Sequence, residues 1–148
     1  MNAQPTPENP PARKPFSRYV IHAARILMGL AFFVSGTNGL FHFLPEPKPE
    51  MPAGALAFAT ALMNTGYMMP LIFGTQAIVG ALLLANRWVP LALALIAPFI
   101  LNSVAFHLFL EPGGRIPASI FLIFELGLAW AYRGSFRPML AMKATPGP

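Results

Sequence analysis

Four long apolar runs, separated by short polar or proline-rich breaks, set the pattern of this chain. The first, YVIHAARILMGLAFFVSGTNGLFHFL (19–44), is long enough to cross about 30 Å of hydrocarbon at 1.5 Å per residue. PEPKPEMP (45–52) stops it, because proline removes an amide donor and clashes with the preceding turn. AGALAFATALMNTGYMMP (53–70) and LIFGTQAIVGALLLANRW (71–88) then follow with no charged residue between them, and together they exceed one span. They predict an interfacial or partly inserted helix, a bend near Gly66 and Pro70, and a true span at about 69–87. The third span, VPLALALIAPFILNSVAFHLFL (89–110), has Pro90 placed for a first helical turn and Pro98 for a kink. After the tight connection EPGGR, the fourth span runs through IPASIFLIFELGLAWAYR (116–133).

The expected fold is therefore all-α: an integral membrane four-helix bundle, antiparallel because its connections are short, with an additional helix before the second span. Residues 1–18 open with a proline-rich polar stretch lacking any apolar period and read as a disordered cytoplasmic tail. Residues 19–135 form the membrane domain and 136–148 a second cytoplasmic tail.

Composition agrees. Of 148 residues, 55% are hydrophobic and 10% charged, where soluble chains carry about a quarter charged. The net charge of +5 does not point to nucleic acid, since the basic residues form no stripe and no recognition motif accompanies them. They flank the spans instead, as topology signals or contacts to anionic lipid. With four spans, Arg13, Lys14, Arg18, Arg87, Arg133, Arg137 and Lys143 share one side, against Lys48 and Arg115 on the other. That bias places both termini in the cytoplasm. There is no cysteine, which excludes disulfides, thiolate metal sites and dithiol redox chemistry by this chain alone.

Polar residues within the spans need a reason, since an ionisable group at a helix centre costs about 2.5–3.5 kcal/mol. Glu125 stands near the middle of the fourth span, expected to face the bundle interior as either register-setting glue or a functional group. Arg25 shares a face with Gly29 and Gly36 at 100° per residue, so it either snorkels to the headgroups or points inward toward an ion pair with Glu125. Gln76 completes a possible buried polar cluster with these two, or glues two helices together. A second group lies toward the other end: Ser35, Asn38 and His42 on the first span, and Asn102, Ser103 and His107 on the third. His107, His42, Asn38 and Asn102 are the candidates to hydrogen-bond a ligand such as a quinone head group, or they are interfacial residues satisfied by water. No metal site is expected, because no carboxylate or thiolate joins the two histidines at ligand spacing.

No soluble-enzyme motif occurs: no phosphate-binding loop, nucleophile elbow, zinc-protease signature or dinucleotide fingerprint. The chain does resemble the DoxX-like family of small bacterial membrane proteins. The resemblance lies in ARILMGLAFFVSGTNGL, GTQAIVGALLLANRWVPLAL and NSVAFHLFLEP, and it spans about residues 19–135. Gln76 stands where that family often carries Glu, so a charge-pairing role does not carry over to it. The resemblance implies a four-helix bundle in the bacterial inner membrane, associated with respiratory and redox complexes, including thiosulfate–quinone oxidoreductase subunits.

Three functions follow as expectations. The first is a non-catalytic subunit or scaffold of a larger membrane redox complex or homo-oligomer, embedded in the bilayer. The second is a quinone- or lipid-binding redox component, with quinone as the possible cofactor. The third is a small-solute transporter, which four spans without an internal repeat do not favour for a monomer.

Overall fold

A computed structural model describes residues 15–45 and 50–140. Among these residues every regular element is helical: α1 (Pro15–Phe41), α2 (Ala53–Asn64), α3 (Met68–Leu84), α4 (Val89–Phe109), α5 (Arg115–Ala131) and α6 (Arg133–Phe136), with 3-10 turns at Pro112–Gly114 and Arg137–Leu140. Helix α1 starts at Pro15, so residues 15–18 are helical rather than part of a disordered tail. Proline suits a first turn because its missing amide has no helical acceptor there. The rest of that tail, with Arg13 and Lys14, lies outside the described residues, as do Lys48 and Lys143.

Helix α1 also ends earlier than its apolar run. His42 takes a left-handed conformation (φ 51°), and Asn38 Oδ1 accepts the Leu44 amide at 2.7 Å, which turns the chain out of the helix. The break between α2 and α3 falls at Gly66, whose φ of 74° is open to glycine at little cost, and the two helices meet at 90°. Pro70 sits inside the first turn of α3, so the bend belongs to the glycine alone. Helix α3 stops at Leu84, short of the expected residue 87. Asn86 is left-handed (φ 54°) there, with its amide on Leu83 O and the Arg87 amide on Leu82 O, the paired bonds that close a helix C-terminus.

The core gathers Met28 and Phe32 of α1, Val79 and Leu83 of α3, Ala92, Leu93, Ile96 and Ile100 of α4, and Leu128 of α5. Helices α1 and α3 touch backbone to backbone. A Cβ on Gly36 would collide with Ala77 and Phe73, and one on Gly80 with Phe33. Along this seam the partners of Gly29, Phe33, Gly36 and Gly39 descend from Leu84 to Phe73. Outside the core, Leu27, Leu30, Leu91, Leu101, Ile123 and Leu126 are exposed. Among the described residues three helical stretches are long and apolar enough to cross a membrane, and the bent pair α2–α3 is a fourth if it counts as one span. Such an apolar exterior marks a membrane protein.

Candidate functional site

The end of α4 builds the best-organised polar site. His107 lies in the last turn of α4, and four residues later Glu111 begins the connection to α5. The His107 ring Nδ1 stands 2.8 Å from Glu111 Oε2 and 3.1 Å from Glu111 O. Both neighbours accept hydrogen bonds with Glu111 ionised, so Nδ1 carries the proton and Nε2 keeps its lone pair in the neutral ring. Nε2 has no hydrogen-bond partner among the described residues.

Glu111 is itself held in place. The amides of Gly113 and Gly114 donate to its two oxygens at 2.9 Å each. These contacts, the Gly114 amide first and then Gly113 and His107, hold its carboxyl below the ordinary value of 4.5 against the opposing effect of burial. Gly114 has a second role: a Cβ there would strike the imidazole, so the ring packs directly on the glycine. Arg115 closes the end of α4 by donating to His107 O at 3.2 Å and Leu108 O at 2.9 Å.

The imidazole borders two cavities. One, of about 200 Å³, is lined by Ser35, Gln76, Ser103 and His107 together with the rings of Phe32, Phe99 and Phe121. Phe32 meets Phe99 edge to face at 6.0 Å and Phe121 at 5.3 Å. The other, of about 330 Å³, lies toward α2 and shares Ser35, Gln76, Ser103 and His107, adding Asn102 and Phe58. Gln76 is almost fully buried, and its enclosed Oε1 has no partner among the described residues. The site thus offers an oriented imidazole lone pair, two serine hydroxyls and an unpaired amide oxygen beside aromatic walls. This set can hydrogen-bond a planar head group that carries hydroxyl or carbonyl oxygens.

The sequence candidates divide across the structure. His107 and Asn102 share the larger cavity. Asn38 and His42 line neither: Asn38 terminates α1 through Leu44, and His42 is exposed in the turn that follows. Arg25, Gln76 and Glu125 are all buried, but they do not make one cluster. Arg25 donates to the C-terminal carbonyls of α3, Leu83 O and Leu84 O, where a cation suits the negative helix end. No ion pair joins it to Glu125 among the described residues. Gln76 belongs to the His107 site, and Glu125 lines a separate groove between α4 and α5.

Glu111 is the residue that sequence reasoning missed. The signal was present, because His and Glu four apart meet across a helical turn, and the following Pro-Gly-Gly turns two amides onto the carboxylate. Among the described residues no third ligand-type side chain converges on the pair. No family model, no curated protein and no solved structure matches this chain.

Proposed function

We propose that the chain is a DoxX-like protein of the bacterial inner membrane, an antiparallel four-span bundle with α2 as an interfacial or partly inserted helix and both termini cytoplasmic. The descending register of α1 against α3 supports the antiparallel order. The orientation draws support from one end of the molecule, where Arg18 and His22 meet Ala131 and Tyr132, and Arg25 meets the end of α3. Exposed Tyr19, Trp88 and Trp130 ring that end beside Arg18, Arg87 and Arg133, and the Arg133 guanidinium lies 4.8 Å from the Trp130 ring centre. Aromatic girdles mark membrane interfaces, and clustered Arg and Lys mark the cytoplasmic one.

Within that bundle the protein binds the head group of a quinone or a lipid as a component of a membrane redox complex. The imidazole carries this reading: Glu111 fixes His107 with Nε2 free, beside a cavity of about 200 Å³. A quinol hydroxyl donates to Nε2 or Gln76 Oε1, a quinone oxygen accepts from a serine, and the ring lies against Phe32, Phe99 or Phe121. Purified in mild detergent, the protein is expected to retain quinone in its lipid extract, and His107→Ala to lower that content several-fold. Equal quinone content in the two preparations sinks the idea.

A second reading is a subunit or scaffold without catalytic activity of its own, holding a larger complex or a homo-oligomer together. The apolar side chains exposed on every long helix support it, since they can face protein as well as lipid. Co-purification of a stoichiometric membrane partner, unaffected by His107→Ala, is its expected signature.

A further inference from the structure

The space beside His107 continues past its polar residues. The larger cavity shares Phe58, Leu62, Ile72, Phe99 and Asn102 with a further one of about 320 Å³ between α3 and α4. Phe58 and Leu62 belong to α2, so that helix crosses the junction of the two. Ala55, fully buried, and Phe58, 5.6 Å from the ring of Phe106, seat it there. From the junction the further cavity follows α4 back to Leu95, about 18 Å from His107 at 1.5 Å per residue. Leu71 and Leu95 on it are 59% and 46% exposed, so it opens onto the apolar exterior.

Polarity falls along this path. Ser35, Gln76, Ser103 and His107 line the two cavities at one end, and Gln76, 3% exposed, presents an Oε1 without a partner among the described residues. Apart from Thr75 and Asn102, the lining of the far cavity is apolar. Lipid is as apolar as that lining, so the groove adds little affinity for a chain. What it supplies is a way out for the tail of a head group held at His107. Charge narrows the ligand further. Among the described residues no Lys or Arg lines any of the three cavities. Arg115 donates to His107 O and Leu108 O, and with Glu111 ionised the His107–Glu111 pair carries no net positive charge even when the ring is protonated. A phosphate would lose its hydration there and gain no counter-charge.

We propose that the ligand of this site is an uncharged amphiphile with one apolar tail, a prenylated quinone and not a phospholipid. Its tail passes under α2 and leaves the bundle between α3 and α4. This rests on the head-group reading of His107 and adds to it the path of the tail and the exclusion of anionic heads.

The test uses the full chain in phosphatidylcholine nanodiscs, with empty discs as the blank. The probes are a benzoquinone carrying a geranyl tail and the same ring without a tail, both measured by equilibrium dialysis. A third probe carries a diazirine at the end of the geranyl tail. Light expels dinitrogen from it, the carbene inserts into a neighbouring C–H bond, and peptide mass locates the label. Label is expected on residues 68–75 and 95–99, suppressed by excess geranyl quinone and undiminished in discs containing phosphatidylglycerol. Thr75→Phe fills the groove and should weaken the geranyl quinone several-fold while leaving the tailless ring unchanged. Leu71→Trp narrows the mouth from an exposed position and does the same if Thr75→Phe fails to fold. His107→Ala should weaken both quinones. Absence of saturable binding by either quinone overturns the head-group reading and this inference with it. Binding that depends on His107, but with the label on α1 or α5 or with both quinones equally affected by the groove variants, overturns the tail path alone. Loss of label in phosphatidylglycerol discs overturns the uncharged head.

Discussion

Replacing Gly36 by alanine tests whether direct backbone contact between α1 and α3 organises the bundle. The new Cβ would stand 2.6 Å from Phe73 O and 2.9 Å from Ala77 Cα, and nearer still to the Ala77 amide. These are main-chain atoms, so no side-chain rotation relieves the collision. The two helices must part by more than half an ångström, and a gap of about 0.5–1 Å already forfeits a quarter to a half of each dispersion contact across the seam. Met28, Phe32, Val79 and Leu83, all within the same core, share that loss. Overpacking of this kind costs about 1–3 kcal/mol, and the better helix propensity of alanine offsets about 1 kcal/mol of it. The net expectation is destabilisation by up to about 2 kcal/mol, or about 2–4 °C in Tm per kcal/mol for a chain of this size. Gly74→Ala and Gly127→Ala serve as controls, because a Cβ at either position meets nothing within 4 Å. They should gain up to about 1 kcal/mol from propensity alone. Thermal unfolding of the three variants in one detergent decides the matter. A Gly36→Ala protein that melts at or above the parent, with Gly74→Ala below it, refutes backbone contact as the organising feature.

Gly114→Ala should expel the His107 ring from its seat and break its contact with Glu111, because the added Cβ falls on the imidazole. Imidazole chemical shifts report the change, and an unaltered His107 signal would contradict it. Glu111 has a lowered carboxyl value when folded, so its stabilising contribution is complete above pH 4.5 and is lost as pH falls through that lowered value. Glu111→Gln is therefore expected to flatten the acid limb of the stability profile below pH 4.5 and leave the profile above it unchanged; an equally steep acid limb counts against this role. At the end of α3, Asn86→Gly should change stability by only a few tenths of a kcal/mol, whereas Asn86→Val should cost about 1–2 kcal/mol in the left-handed conformation. Equal melting of those two variants would show that the turn relaxes.

Helix existence was legible because it depends on local quantities. Apolar runs of 17 residues or more leave the backbone amides no better partner than their own helix, and Pro, Gly and Asn mark where runs break. The bend at Gly66 and the start of α4 near Pro90 came from such signals. The end of α1 did not, because His42 takes a left-handed turn inside a stretch whose composition gives no reason to stop there, whereas Asn86 at the end of α3 is itself such a signal. Burial of Glu125 was also legible, since a charge within a span has to turn away from lipid, whereas Arg25 could equally have snorkelled to the headgroups.

Their partners were not legible. The 90° turn of α2 follows from Gly66, and the rotation of α1 against α3, which decides which face meets which, follows from close approach at Gly36 and Gly80. That approach places Arg25 on the carbonyls of α3 rather than beside Glu125, and it puts Gln76 with His107. By itself, then, the sequence determined that this chain is helical, apolar on its exterior and polar at a few interior points. The tertiary structure alone decided that His107 pairs with Glu111, and that Glu125 is buried without a hydrogen-bond partner among the described residues. Hydropathy acts residue by residue along the chain, whereas a hydrogen bond requires two groups within about 3 Å, and packing between helices sets that distance.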